Sequence, residues 1–209
     1  MSFEPSALAL GALFSDGSVF HSRKTWARMG FSVFDPAKDT EIMVAAHPSA
    51  PGHLFKRYPD AVSRGEQRDN YAARVEGAAR LARFVEREQL SRVVVPRKHL
   101  HDLPEAIFGK KQQVLVVERL DVVGRDASEA CYRHIGNDIL RELLRVLVKF
   151  PGLDSNSKNV QFTRDGKIAF IDLENWARAD RKQVRLKSIG TYLSKDRLQL
   201  AKKILSELR

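Results

Sequence analysis

A single cysteine, Cys131, stands in the 209 residues. That excludes an internal disulfide and any cysteine-built zinc site, and it points to a reducing compartment or to indifference to redox. Long apolar runs are also missing. The longest near the start, Ala7 to Phe14, is too short to span a bilayer. Glu4 is the only charge before it, so the basic lead-in of a secretory signal is absent. The expectation is a chain without a transmembrane segment, soluble where it works, in which this run is a docking segment or a receptor-read export signal. No internal repeat and no low-complexity tract occurs.

What is present suits a globule. The 43% hydrophobic content allows a sizeable core, and the length suits one domain or two small lobes. The net charge of +10 suggests an anionic partner: nucleic acid, a phosphorylated ligand, an acidic protein surface or anionic lipid. A solvated basic surface is the plainer reading, and charge sign alone does not choose between them. Without a nucleic-acid motif or an aromatic–basic stripe, no specific nucleic-acid partner is expected.

Residues 1–25 carry weak patterning and read as an N-terminal extension. Phe31 to Phe34, Glu41 to Ala46 and His53 to Tyr58 then read as strands of an antiparallel meander, separated by turns rich in proline, glycine and aspartate. From Gln67 to Glu88, apolar positions recur at three- and four-residue steps (Tyr71, Val75, Ala78, Ala82, Val85), which predicts a helix. Short strands follow at Arg92 to Val95 and Gln113 to Glu118. A second helix is predicted from Ser128 to Lys149, then a loop to Lys158. Two strands, Val160 to Thr163 and Lys167 to Ile171, flank the hairpin turn Arg164-Asp165-Gly166. A last amphipathic helix spans Lys195 to Leu208. Strand-rich sequence preceding helical sequence favours α+β architecture in two lobes. The expected division is a β-rich N-lobe over 26–120 and a truncated helical C-lobe over 121–209.

One stretch stands above the rest: Gly152-Leu153-Asp154-Ser155-Asn156-Ser157-Lys158-Asn159, then a hairpin ending Phe170-Ile171-Asp172-Leu173-Glu174. Asp154 and Asn159 are five residues apart, and Asp172 lies thirteen beyond Asn159. Two carboxylates and an amide suit phosphoryl transfer, where a site must position reactants and balance charge more than do covalent chemistry. The pattern resembles the protein-kinase-like superfamily, over roughly residues 30 to 175.

The resemblance implies that Asp154 accepts the proton of the attacking hydroxyl and that Asn159 and Asp172 hold Mg2+. It implies a lysine on the third strand, which is Lys56, and a glutamate on the next helix, which is Glu76. Lys56 would hold the ATP phosphates, and Glu76 would orient it by an ion pair. Val114 to Val117, followed by Glu118-Arg119-Leu120-Asp121, looks like the family's hinge, where adenine would bond to the backbone of Glu118 and Leu120. Lys158, beside Asn159, would neutralise the transferred phosphate. The implied protein is a kinase phosphorylating a hydroxyl, serine/threonine-type, with nucleotide and a protein substrate as partners.

The departures are as specific as the matches. No glycine-rich loop joins the first two strands; Asp35-Pro36-Ala37-Lys38 stands there, with Lys38 as a substitute phosphate contact. Gly152-Leu153 replaces the His-Arg expected before the catalytic aspartate, which implies no control by activation-loop phosphorylation. Asp172-Leu173-Glu174 replaces Asp-Phe-Gly and is similar to the endings of aminoglycoside, choline and lipopolysaccharide sugar kinases. After Glu174 too little chain remains for a large peptide-binding platform. That brevity resembles the minimal kinases injected by bacterial pathogens, so the expected location is cytoplasmic or secreted as an effector into a host cell. The basic stretch Arg178, Arg181, Lys182, Arg185 and Lys187 would draw an acidic substrate or form a solvated face.

Plainer readings stand beside each of these. An isolated Asp-x-x-x-x-Asn is common in loops, Asp172 could simply end a strand, and Glu76 could pair with Arg80 on an exposed helix face. A catalytically weak pseudokinase serving as a binding module, and a small-molecule or saccharide kinase, are the alternative functions.

Overall fold

The computed structural model describes residues 7–15, 23–34, 42–58, 64–103, 112–173, 176, 186 and 188–208. In chain order the helices and strands are α1 (Ala7–Leu13), α2 (Arg23–Arg28), β1 (Ser32–Phe34), β2 (Met43–Ala46), β3 (His53–Arg57), α3 (Arg64–Arg87), β4 (Val93–Val94), β5 (Lys98–Asp102) and β6 (Gln113–Glu118). Then come α4 (Arg125–Arg133), α5 (Asn137–Lys149), β7 (Val160–Phe162), β8 (Ile168–Phe170), a 3-10 turn at Ile189–Thr191 and α6 (Lys195–Glu207). The chain divides into two units, one of residues 1–72 with 97–119, the other of residues 73–96 with 120–209. The architecture is α+β, with an antiparallel sheet in the first unit and most of the helix in the second.

The first unit is built on a five-stranded sheet in the order β1-β2-β3-β6-β5, antiparallel throughout. The turn before β3 is closed by the Ala50 N–H on the His47 carbonyl and the His53 N–H on the Ala50 carbonyl, both 3.0 Å. Its core is aromatic. Phe14, Trp26, Phe31 and Phe55 are buried together with Val114 and Val116. Phe31 meets Trp26 at 4.8 Å and Phe55 edge-on at 5.6 Å between ring centres. Such offset and T-shaped contacts add to plain area burial. The segment expected as an extension contributes Leu10, Leu13 and Phe14 to this core. Its apolar residues gain by covering the sheet, a tertiary effect that local patterning does not reveal.

The second unit has a larger aliphatic core, drawing Leu81 and Phe84 from α3, Leu140, Leu143, Leu144 and Leu147 from α5, and Ala201 and Ile204 from α6. A small sheet, β4-β8-β7, lies within this unit, with β4 parallel to β8 and β7 antiparallel to it. Gly166 has φ +79°, which the β7–β8 turn needs and an L side chain rarely adopts.

Two expectations change. The helix predicted from Ser128 to Lys149 is two helices, α4 and α5, broken at His134-Ile135-Gly136. Gly136 takes an extended conformation at the start of α5, and the buried Ile135 packs into the core between them. The strand β5 was not anticipated. Its sequence Lys-His-Leu-His-Asp is polar, and among the described residues it lies at the sheet edge, paired with β6. Among the described residues no helix is long and apolar enough to cross a membrane.

Candidate active site

In the first unit, β3 places Lys56 opposite Val44 on β2 and Leu115 on β6. Lys56 and its neighbour Arg57 are both buried, at 6% and 4% exposure. Buried cations are kept only where partners or an anion repay their desolvation. Arg57 donates through Nη2 to Gln112 Oε1 at 3.0 Å. The strand expected as a hinge, β6, runs directly beside the lysine-bearing strand.

Glu118 ends β6. Its backbone N–H is taken by the Arg97 carbonyl at 2.9 Å. Its carboxylate accepts both Nε and Nη2 of Arg97, at 3.1 and 2.9 Å. Burial works to raise the Glu118 carboxyl, but the Arg97 hydrogen bonds and charge outweigh it and hold it below the ordinary carboxylate range. Leu120 belongs to the second unit, where its carbonyl accepts the Val122 N–H.

The second unit holds the loop between α5 and β7, and Asn156 organises it. Its side-chain oxygen accepts the backbone N–H groups of Lys158 and Asn159, at 2.9 and 3.0 Å. Its backbone carbonyl accepts those of Asn159 and Val160. An asparagine that bonds the backbone two and three residues on fixes a turn without helix or strand. The Asn156 amide also donates to Asp154 Oδ2 at 2.7 Å, and the Asn159 amide reaches the same oxygen at 3.3 Å. Asp154 is thereby held between two amides.

Three anchors fix this loop and the strand β7 that follows it to α4. Ser157 Oγ donates to Glu129 Oε1 at 2.6 Å, and Glu129 in turn accepts Arg125 Nε at 3.0 Å. These bonds lower the Glu129 carboxyl, Ser157 foremost. The Tyr132 hydroxyl donates to the Val160 carbonyl at 3.0 Å, and burial pushes its phenol up, so it remains a donor. The Phe162 N–H donates to Ser128 Oγ at 2.9 Å.

Asp172 follows β8. The Ile171 N–H donates to the Asn159 carbonyl at 2.7 Å, which brings the strand exit beside the loop. Arg74 of α3, with a side chain only 4% exposed, places Nη1 2.8 Å from both carboxylate oxygens of Asp172. Glu76, two residues along α3, is half exposed and pairs with Arg80 through Nη2 at 2.7 Å. Arg80 lies 4.5 Å over the Trp176 ring, a cation–π contact. The plainer pairing weighed for Glu76 is therefore present.

The structure thus brings together Asp154, Asn159 and the exit strand of Asp172, with Lys158 exposed beside them. Lys38 and Glu174 lie outside the described residues, as does the basic stretch from Arg178 to Lys187. Asn156 and Arg74 are the residues that sequence reasoning missed. Asn156 sits among serines in a polar turn, a signal that could have found it; Arg74 offers none, because its partner is distant in sequence.

Mg2+ requires hard oxygen ligands in octahedral array, and Asn159 and Asp172 supply suitable donors. Their arrangement does not fit an open metal site, because both Asp172 oxygens already face the Arg74 guanidinium. Among the described residues no three His, Cys, Asp or Glu side chains gather as a metal-binding group.

No family model matches the sequence, and no curated protein matches it. Among solved structures, the chain is similar to the Rio2 kinase from Chaetomium thermophilum, determined as an ADP/Mg2+–phosphoaspartate complex. Identity is 14% and the TM-score 0.38, over 88% of this chain and 58% of that one. The chain therefore spans less than two thirds of the length of that kinase.

Proposed function

We propose that the chain is a kinase-like phosphotransferase that moves the terminal phosphoryl group of a nucleoside triphosphate to a hydroxyl, with a protein as the acceptor expected from the sequence resemblance. The observation that carries this reading is the bracket formed by Asp154, Asn156 and Asn159, tied through Ile171 to the strand that delivers Asp172. Two amides hold the Asp154 carboxylate in one orientation, leaving its other oxygen to accept the proton of an attacking hydroxyl. Lys56, buried on β3, is the cation assigned to the nucleotide phosphates, and the Glu118–Leu120 segment is assigned to the base. Lys158 is exposed beside Asn159 and is assigned to the charge of the transferred group.

Incubating the purified protein with γ-labelled ATP and a panel of peptide and sugar acceptors tests this. Label should pass to the protein itself or to an acceptor, and Asp154→Ala should lower the rate by about 10²–10⁴-fold, the usual share of a positioned base. Equal labelling by the variant would remove Asp154 from the chemistry.

A second reading is favoured by one specific observation, the Arg74–Asp172 pair. A carboxylate neutralised by a buried guanidinium suits a domain that binds nucleotide without turning it over. In that case a nucleotide raises the melting temperature in proportion to its logarithmic excess while no acceptor is labelled.

A further inference from the structure

We propose that Arg74 is the resident cation of this site, and that it makes nucleotide binding independent of divalent metal. The inference rests on the nucleotide reading above and adds the form of nucleotide selected. Arg74 is delivered by α3, and its side chain is 4% exposed. It faces Asp172, itself 20% exposed, with Nη1 at 2.8 Å from each carboxylate oxygen. In a phosphate site the usual task of such a carboxylate is to recruit a metal that then offsets phosphate charge. Here the positive charge is supplied by the chain.

A divalent ion approaching Asp172 meets two obstacles. The carboxylate charge is already compensated, and the guanidinium repels a second cation in a poorly solvated position. Displacing Arg74 is unfavourable as well, because a buried arginine stripped of its carboxylate loses a charge-assisted pair and cannot shed its proton. Two of the neighbouring oxygens are already engaged. Asp154 Oδ2 is taken by two amides, and Asn156 Oδ1 by two backbone N–H groups. The site therefore does not require the magnesium complex of the nucleotide.

Thermal-shift titration of the full chain with ATP, once in EDTA and once in excess magnesium chloride, reads this directly. The wild type should be stabilised at least as strongly in EDTA. In Arg74→Gln, which removes the guanidinium charge beside Asp172, the affinity in EDTA should fall about tenfold and magnesium should restore it. Stabilisation of the wild type only when magnesium is present overturns the role of Arg74 and leaves the phosphotransferase reading standing. No response to ATP under either condition removes both. A glutamine variant as indifferent to metal as the wild type also overturns the proposal. Should that variant fail to fold, the wild-type comparison alone decides.

Discussion

At the scale of single residues, the loop after α5 is held by side chains that bond backbone. Asn156 makes two hydrogen bonds to backbone N–H groups and one to Asp154. Asn156→Ala should destabilise the second unit by about 2 kcal/mol, since it removes the side-chain acceptor of the Lys158 N–H and the shorter of the two amide bonds to Asp154. Urea denaturation measures that cost, and it should be matched by a loss of any transferase activity. Tyr132→Phe removes one hydroxyl from a fully buried ring and leaves the Val160 carbonyl unsatisfied. The expected loss is about 1–2 kcal/mol, with little change in packing. Residues of this kind differ in how far sequence reveals them. Asp154 and Asn159 sit five apart in one polar loop, so their meeting is a local event and could be anticipated. Arg74 meets Asp172 across 98 positions. No periodicity or spacing encodes that encounter, which depends on how α3 packs within the second unit.

At the scale of elements, α3 is set against the segment after β8 at a place where only glycine fits. A Cβ on Gly77 would lie 2.5 Å from Trp176 Cδ1 and 2.7 Å from the Leu173 carbonyl oxygen. The backbone oxygen cannot swing aside. Gly77→Ala should therefore destabilise by about 1–3 kcal/mol, despite the gain of about 0.5–1 kcal/mol that alanine brings to a helix interior. Because Leu173 adjoins Asp172, the shift should also weaken the Arg74 pair, visible as restored metal dependence of nucleotide binding.

The β5–β6 pair makes a separate prediction. Glu118 has a folded pKa below its unfolded value, held there by Arg97. Its contribution to stability is thus complete above the unfolded pKa and fades as pH falls through the folded one. Arg97→Met should cost about 0.5–1 kcal/mol near neutral pH, the range of a partly exposed pair. The difference from wild type should begin to shrink below the ordinary carboxylate value of 4.5 and vanish only in stronger acid, below the depressed folded value. Chemical denaturation at the two pH values checks it.

The same elements show why some of the fold was legible. The long α3 and the β7–β8 hairpin follow from apolar periodicity and from an Asp-Gly turn, signals carried by adjacent residues. The break between α4 and α5 was hidden because Ile135, buried in the core, continues the apolar pattern through it. The edge strand β5 was hidden because its residues are those of a solvated segment, and only pairing with β6 makes it a strand.

At the scale of the molecule, two units with separate cores carry the proposed machinery, Lys56 in one and Asp154, Asn159, Asp172 and Arg74 in the other. The net charge of +10 agrees with an anionic ligand but does not locate it. Location is what the account asserts. The most direct test is a two-dimensional amide spectrum of isotopically labelled protein, titrated with a non-hydrolysable ATP analogue. The account predicts the largest shifts at the side-chain amides of Asn156 and Asn159, at the backbone of Ile171 and Asp172, and around Lys56. Shifts confined to other surfaces, with these signals unmoved at saturation, would contradict it.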